Sequence, residues 1–295
     1  MSLRLLQLAR LMSAFLLLMP MLLAAAVLPK NKPVPGGIAL ITIERPANAA
    51  SLQPKVSYNE RPVMLIADDK KSGKWTAVTG IDLETKPGMQ ELKVDWGGKE
   101  QVVAFKVSKH KYKTQYLKLK SKKHVDLSEK DYQRYLSEKK NIVAALQHWS
   151  DTPTLAQSFM LPVTGRMSSP FGLKRYFNNE PRKPHSGIDI AAPLGTPIVA
   201  PLDGTVIDVG EYFFNGNSIF IDHGQGLVTM YCHMSKVDVK VGDEVKQGQR
   251  IGAVGKTGRA TGPHLHWAIS VNDTRVDPGL FFKNIKRSLK KKRKH

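Results

Sequence analysis

The sequence predicts a mainly β protein: a small N-terminal antiparallel β-sandwich, one connecting helix, and a C-terminal antiparallel β domain. Three observations predict it. Short runs rich in β-branched residues recur between turn clusters over residues 38–108, one stretch after residue 128 keeps a helical stripe, and from Phe159 onward short apolar runs are punctuated by Gly and Pro. At 295 residues, 41% hydrophobic and 24% charged, the chain can bury two modest cores and is neither disordered nor polytopic.

Residues 1–28 differ from the rest. Arg4 and Arg10 precede an apolar run from Leu11 to Leu28 that ends in small residues, the pattern of a secretory signal peptide cleaved near Ala26 or of an N-terminal anchor to an inner membrane. Either places the remainder outside the cytoplasm, in a periplasm or cell envelope. Residues 29–37, P-K-N-K-P-V-P-G-G, read as a linker. The runs I-A-L-I-T-I, P-V-M-L-I-A, W-T-A-V-T-G-I and Q-V-V-A-F-K-V, separated by D-D-K-K-S-G-K and K-P-G, define the sandwich over 38–108. It carries no catalytic constellation.

Residues 109–157 begin as a charged connector and continue as an amphipathic helix. Ser128 with Asp131 resembles a capping box, and Tyr132, Tyr135, Leu136, Ile142, Val143, Leu146 and Trp149 form its stripe, expected to pack on one of the β domains. Residues 158–282 form the second β domain. Residues 283–295 hold eight Lys or Arg and no acid, a large share of a net charge of +20. Such a tail is either a solvated end or an adhesive for an anionic envelope polymer or membrane surface. It has no interleaved aromatics, so nucleic acid is not expected as a partner.

Several chemistries are excluded by position. Cys232 is the only cysteine, so no intrachain disulfide exists. On a strand it would face away from His233, which argues against a Cys-His pair. G-K-T-G lacks P-loop spacing, and the V-K-V-G-D-E-V-K-Q-G-Q-R-I-G run, similar to lipoyl carriers in its turns, has no carrier lysine setting.

What remains is H-S-G-I-D, giving His185 and Asp189, with H-L-H downstream, giving His264 and His266, and His233 between. In extended chain, residues two or four apart share a face, so two short segments supply four polar groups, any three of which could complete a catalytic zinc centre with one position left for water. His223, beside Gly224 in a turn, reads as structural, and His110, His124, His148 and His295 have no ligand spacing. The loop R-Y-F-N-N-E-P-R before His185 is expected to rim the cleft, with Arg175, Tyr176, Asn178 and Arg182 as carboxylate or amide contacts.

The stretches P-H-S-G-I-D-I-A-A-P-L-G-T-P-I-V-A-P, T-M-Y-C-H-M-S and T-G-R-A-T-G-P-H-L-H-W together resemble the catalytic domain of lysostaphin-type, LytM-like zinc peptidases, over roughly residues 158–282. The sandwich resembles the β-rich module that precedes some of these domains. The resemblance implies one zinc ion per chain held by His185, Asp189 and His266, a catalytic pair of His233 and His264, and hydrolysis of peptide cross-links in peptidoglycan, first of all as a D,D-endopeptidase. Two other classes are weighed: a relative that has lost ligands and only activates other wall hydrolases, against which all five residues argue, and an envelope protein that binds polyanions through its tail.

Overall fold

The computed structural model describes residues 27–49, 53–69, 73–117, 127–152, 155, 157–177, 180–283 and 285. Residues 1–26, Asn178, His124 and nearly all of the basic tail lie outside them.

The fold is mainly β with one α-helix. Strands Ile38–Glu44, Lys74–Gly80 and Met64–Asp69 form a three-stranded sheet in that order, and Arg61–Pro62, Lys55–Tyr58, Gly88–Asp95 and Glu100–Val107 form a four-stranded one. Both are antiparallel. Alternation along Ile38–Glu44 sends Ala39, Ile41 and Ile43 inward to meet Val56, Leu92, Val94 and Trp96. The same alternation sends Ile38 to the opposite face, where with Met64 and Val78 it joins the core of the second β region beside Leu227, Val271 and Val276. Ile38, Met64 and Val78 are fully buried. At roughly 1.5–3 kcal/mol each, their burial rivals the net stability of a whole domain, so the sandwich is fastened to the second β region. Polar contacts reinforce the seam: Asn272 Oδ1 accepts from Gly80 N–H (2.7 Å), Gln225 Oε1 accepts from Leu65 N–H (2.9 Å), and Arg61 pairs with Asp273 (3.3 Å).

Residues 29–37 pack against this body. Lys30 N–H donates to Leu280 O, Lys32 bridges Ile38, and Gly36 N–H donates to Ile81 O.

The second β region is built on a ten-stranded sheet whose main path runs Glu244–Val245, Gly204–Tyr212, Gly216–Asp222, Leu227–Val237, His264–Val271, Ile188–Ala191, Arg166–Ser169. One face, with Ile188, Ile190, Ile219, Tyr231, Leu265 and Trp267, is sealed into the core shared with the sandwich. The other face is divided. Its lower part, Phe220, Val228, Met230, Cys232 and Ala268, is covered by Ala145 and Leu146 of the helix α1 (Glu129–Leu146). Its upper part carries Asp189 and His266.

The helix starts as the sequence indicates, with the Ser128 side chain accepting from Asp131 N–H (3.2 Å). Its inward face, however, is Tyr135, Leu136, Ile142, Ala145 and Leu146, while Tyr132 and Val143 of the expected stripe are exposed. Ahead of the helix, Thr114–Leu117 forms a strand parallel to Lys174–Phe177, which pairs on its other side with Glu180–Arg182. Among the described residues, no helix is long and apolar enough to cross a membrane.

Candidate metal centre

Strand pairing assembles the centre. Asp189 and His266 are register partners on adjacent antiparallel strands, so their side chains rise from the same face. His185 joins them from the turn before Ile188–Ala191. That turn passes so close to the neighbouring strand that a Cβ on Gly187 would lie 2.6 Å from Trp267 O and 2.9 Å from the His266 ring, which explains the glycine of H-S-G-I-D. The outcome is a tight triangle: His185 Nε2 to Asp189 Oδ1 3.0 Å, His266 Nδ1 to Asp189 Oδ1 2.8 Å, and His185 Nε2 to His266 Nδ1 3.1 Å.

The donor set fits a cation. His185 Nδ1 sits 2.9 Å from Pro170 O, a pure acceptor, so Nδ1 carries a proton and Nε2 is the nitrogen turned toward the carboxylate oxygen. A ring nitrogen and a carboxylate oxygen at that distance are bridged by a proton on the ring or by a cation held between them. Two imidazole nitrogens and a carboxylate oxygen are zinc's own preference, with a further position left open. These three are the group among the described residues whose ligand atoms lie mutually within 4.8 Å.

Burial opposes charge on Asp189, but the imidazoles of His185 and His266 against it hold its carboxyl well below the usual carboxylate range. Burial lowers His266, with Asp189 pulling it back up. Arg175, expected at the cleft rim, turns inward: its Nη2 donates to Ser169 Oγ (2.7 Å) and lies 3.4 Å from Asp189 Oδ2. Its strand neighbour Tyr176 stacks on Tyr116, with ring centres 4.9 Å apart. In the backbone ladder of the hairpin, Arg182 is the register partner of Arg175.

His233 and His264 stand beside the triangle, their rings 4.7 Å apart, and His264 Nε2 is 3.9 Å from Asp189 Oδ1. His233 reaches this face through a departure from strand alternation. Cys232 is the register partner of His266 and belongs to the same face, so period two would send His233 to the other side. Instead His233 adopts φ +63° in a bulge, where Asn217–Ile219 opposes Tyr231–Met234 with one extra residue, and Met234 returns to the opposite core. The expectation that Cys232 and His233 face apart is therefore corrected. The case against a Cys-His pair holds on other grounds, since burial pushes the Cys232 thiol up to about 12.

Both flanking rings have a fixed tautomer. His233 Nδ1 donates to Thr257 O (2.8 Å) and His264 Nδ1 to Gly262 O (2.8 Å), so each offers Nε2 as an acceptor. Burial, with His266 and His264 adding to it, lowers His233 to about 4, and its ring is neutral near pH 7. Ser169 and Pro170, which orient His185, and Thr257 and Gly262, which orient His233 and His264, do not stand out in the sequence. Three of the four act through a backbone carbonyl, which leaves no residue signature.

A β-sheet centre with a His/Asp/His triangle flanked by two further imidazoles fits a metallopeptidase. The chain belongs to peptidase family M23: residues 183–278 match the family model and residues 31–110 match the model of the M23 N-terminal domain. A crystal structure of a putative peptidase M23 from Pseudomonas aeruginosa is 41% identical, with a TM-score of 0.69, over 85% of this chain and 95% of that one. The peptidoglycan DD-endopeptidase ShyA of Vibrio cholerae is 43% identical over 113 residues, 38% of this chain and 26% of that protein. The DD-carboxypeptidase/endopeptidase Mpg of Neisseria meningitidis is 42% identical over 113 residues, again 26% of its length. The alignments thus span about a quarter of these curated relatives.

Proposed function

We propose that this chain is a zinc-dependent endopeptidase that hydrolyses peptide cross-links of bacterial peptidoglycan, acting as a D,D-endopeptidase in wall remodelling outside the cytoplasm. In this reading, residues 158–282 are the peptidase unit and residues 38–108 an accessory one. The carrying observation is the convergence of His185 Nε2, Asp189 Oδ1 and His266 Nδ1, with two further imidazoles presenting Nε2 beside them. Those three atoms would hold the zinc. Zinc bound there supplies a Lewis acid for the scissile carbonyl and lowers the pKa of a water toward about 7.

The protein's own groups supply the rest. His185 is locked by Pro170 and Asp189 is steadied by Arg175, so the cluster is organised before substrate arrives. Nε2 of His233 and Nε2 of His264 are the atoms at which one proton is taken from water and one delivered to the departing amine. The peptidoglycan bond is suggested by what ShyA and Mpg are named for. The basic tail would serve as a tether to an anionic envelope polymer or membrane.

Digestion of purified peptidoglycan with and without chelator, read by mass spectrometry, tests the activity, the metal and the bond together. We expect one zinc per chain and chelator-sensitive conversion of cross-linked muropeptides into uncross-linked ones. Full hydrolysis with zinc retained in a His185→Ala/His266→Ala double variant would overturn the ligand assignment. Deleting residues 283–295 should weaken envelope binding and leave turnover of soluble muropeptides intact.

A further inference from the structure

The helix α1 lies in residues 111–182, between the two segments matched by family models, and the inward face of its first half is directed at a turn rather than at a core. Glu138 is its central contact. Its side chain is only 14% exposed; Oε2 accepts from Phe213 N–H (2.7 Å) and Oε1 from Arg134 Nε (2.6 Å). Arg134 in turn donates to Glu211 O (3.3 Å), and its guanidinium lies 5.7 Å from the centre of the Phe213 ring. Tyr135 meets Phe214 edge to face at 5.3 Å, and the Arg259 guanidinium sits 4.4 Å from the centre of the same ring. Helix α1 therefore grips both aromatic residues of the turn.

The next residues of that turn hold His233. Asn215 O accepts from His233 N–H (2.7 Å). Gly216, at φ +63°, is pressed so closely on residues 257–258 that a Cβ there would lie 2.3 Å from Thr257 Oγ1. Thr257 Oγ1 accepts from Asn217 N–H (3.0 Å) and donates to Met234 O (2.9 Å), while Thr257 O receives the His233 Nδ1 proton (2.8 Å). Both anchors of His233, backbone and ring, thus depend on where the 213–216 turn lies. A left-handed, non-glycine residue persists only where its surroundings over-determine it. His233 is such a residue, and α1 is part of what fixes it.

We infer that Glu138 is a positioning residue of the hydrolase: through Phe213 and the 213–216 turn it sets the placement of His233 Nε2, making α1 a buttress of the proton-transfer pair. The inference rests on the reading of His233 as a proton-transfer group. A displacement of about 1 Å at such a group can cost about 100-fold in rate.

The test uses the full chain, loaded with zinc, and a soluble cross-linked muropeptide dimer. Glu138→Ala should retain one zinc per chain, hold KM within about 3-fold, and lose about 10–100-fold in kcat. Glu138→Gln keeps an oxygen facing Phe213 N–H and should stay within about 3-fold of wild type. In a His233→Ala background, Glu138→Ala should cost nothing further in residual rate, a coupling that a merely structural role would not produce. If Glu138→Ala does not fold, Glu138→Asp, which keeps the charge and shortens the reach, should show the same kcat loss at an unchanged melting temperature. Wild-type kcat in the Ala or Asp variant, or additivity with His233→Ala, would overturn the inference. A zinc-loaded wild type with no hydrolysis would instead overturn the proposed function.

Discussion

His223 and His233 sit on opposite faces of the ten-stranded sheet and meet burial in two different ways. His223 is saturated: Nδ1 donates to Asp203 O (2.7 Å), and Nε2 accepts from Thr229 Oγ1 (2.7 Å), which is bonded to Tyr231 OH (2.8 Å). His233 is half-satisfied, with Nδ1 tied to Thr257 O and Nε2 left open toward His264. Burial pushes both imidazoles down to about 4. A depressed histidine is therefore no mark of function by itself; the difference is whether its second nitrogen has a partner, and whether the backbone has been bent to expose it.

The comparison can be broken in several ways, starting with the largest effect. His266→Ala should abolish hydrolysis and zinc retention together, as measured by metal analysis and muropeptide release; survival of either would separate the triangle from the chemistry. His233→Ala should keep zinc and lose about 10²–10⁴-fold in kcat. His233→Gly, relieved of the left-handed strain, should be about 1 kcal/mol more stable than His233→Ala in denaturant melts.

Stability against pH sharpens the contrast. With His223 lowered from 6.5 in the unfolded chain to about 4 in the fold, its contribution is fully present above pH 6.5 and is lost as pH falls toward 4. Between those limits the unfolded state binds more protons, and the loss should be on the order of 3 kcal/mol. Wild type and His223→Gln, both melted with chelator present, should differ in slope over this window, the variant being flatter. At neutral pH, His223→Gln should cost about 1–3 kcal/mol, because the Asp203 carbonyl and Thr229 hydroxyl lose their fitted partner, while kcat per folded molecule is unchanged. Asn272→Ala at the sandwich seam should cost about 1–2 kcal/mol of stability from the unpaired Gly80 N–H, with turnover unaffected.

Much of this arrangement is legible in the sequence, and the parts that are not have physical reasons. The four β-branched runs are all strands, and those buried on both faces, such as Ile38–Glu44 and Lys74–Gly80, read as near-continuous apolar stretches. Lys55–Tyr58 and Gly88–Asp95 escape notice because K-V-S-Y and G-M-Q-E-L-K-V-D bury only every second residue and crowd the open face with charge. The cap at Ser128 is visible, but the buried side of α1 turns toward Ala145, whose small side chain scarcely registers in an apolar stripe. His185, Asp189, His264 and His266 declare themselves through spacing. His233 reaches them only through a bulge, and a non-glycine residue at positive φ carries no letter that announces it. Arg175 reads as a rim residue because nothing in a linear chain shows that the hairpin folds it back onto Asp189.

The burial of Ile38, Met64 and Val78 against Leu227, Val271 and Val276 also bears on how the protein would travel. Two modules on a loose tether can thread a mesh one after the other; two that share a core must pass as a single block. In the cross-linked network proposed as its substrate, the gaps wide enough for that block would decide which bonds are within reach.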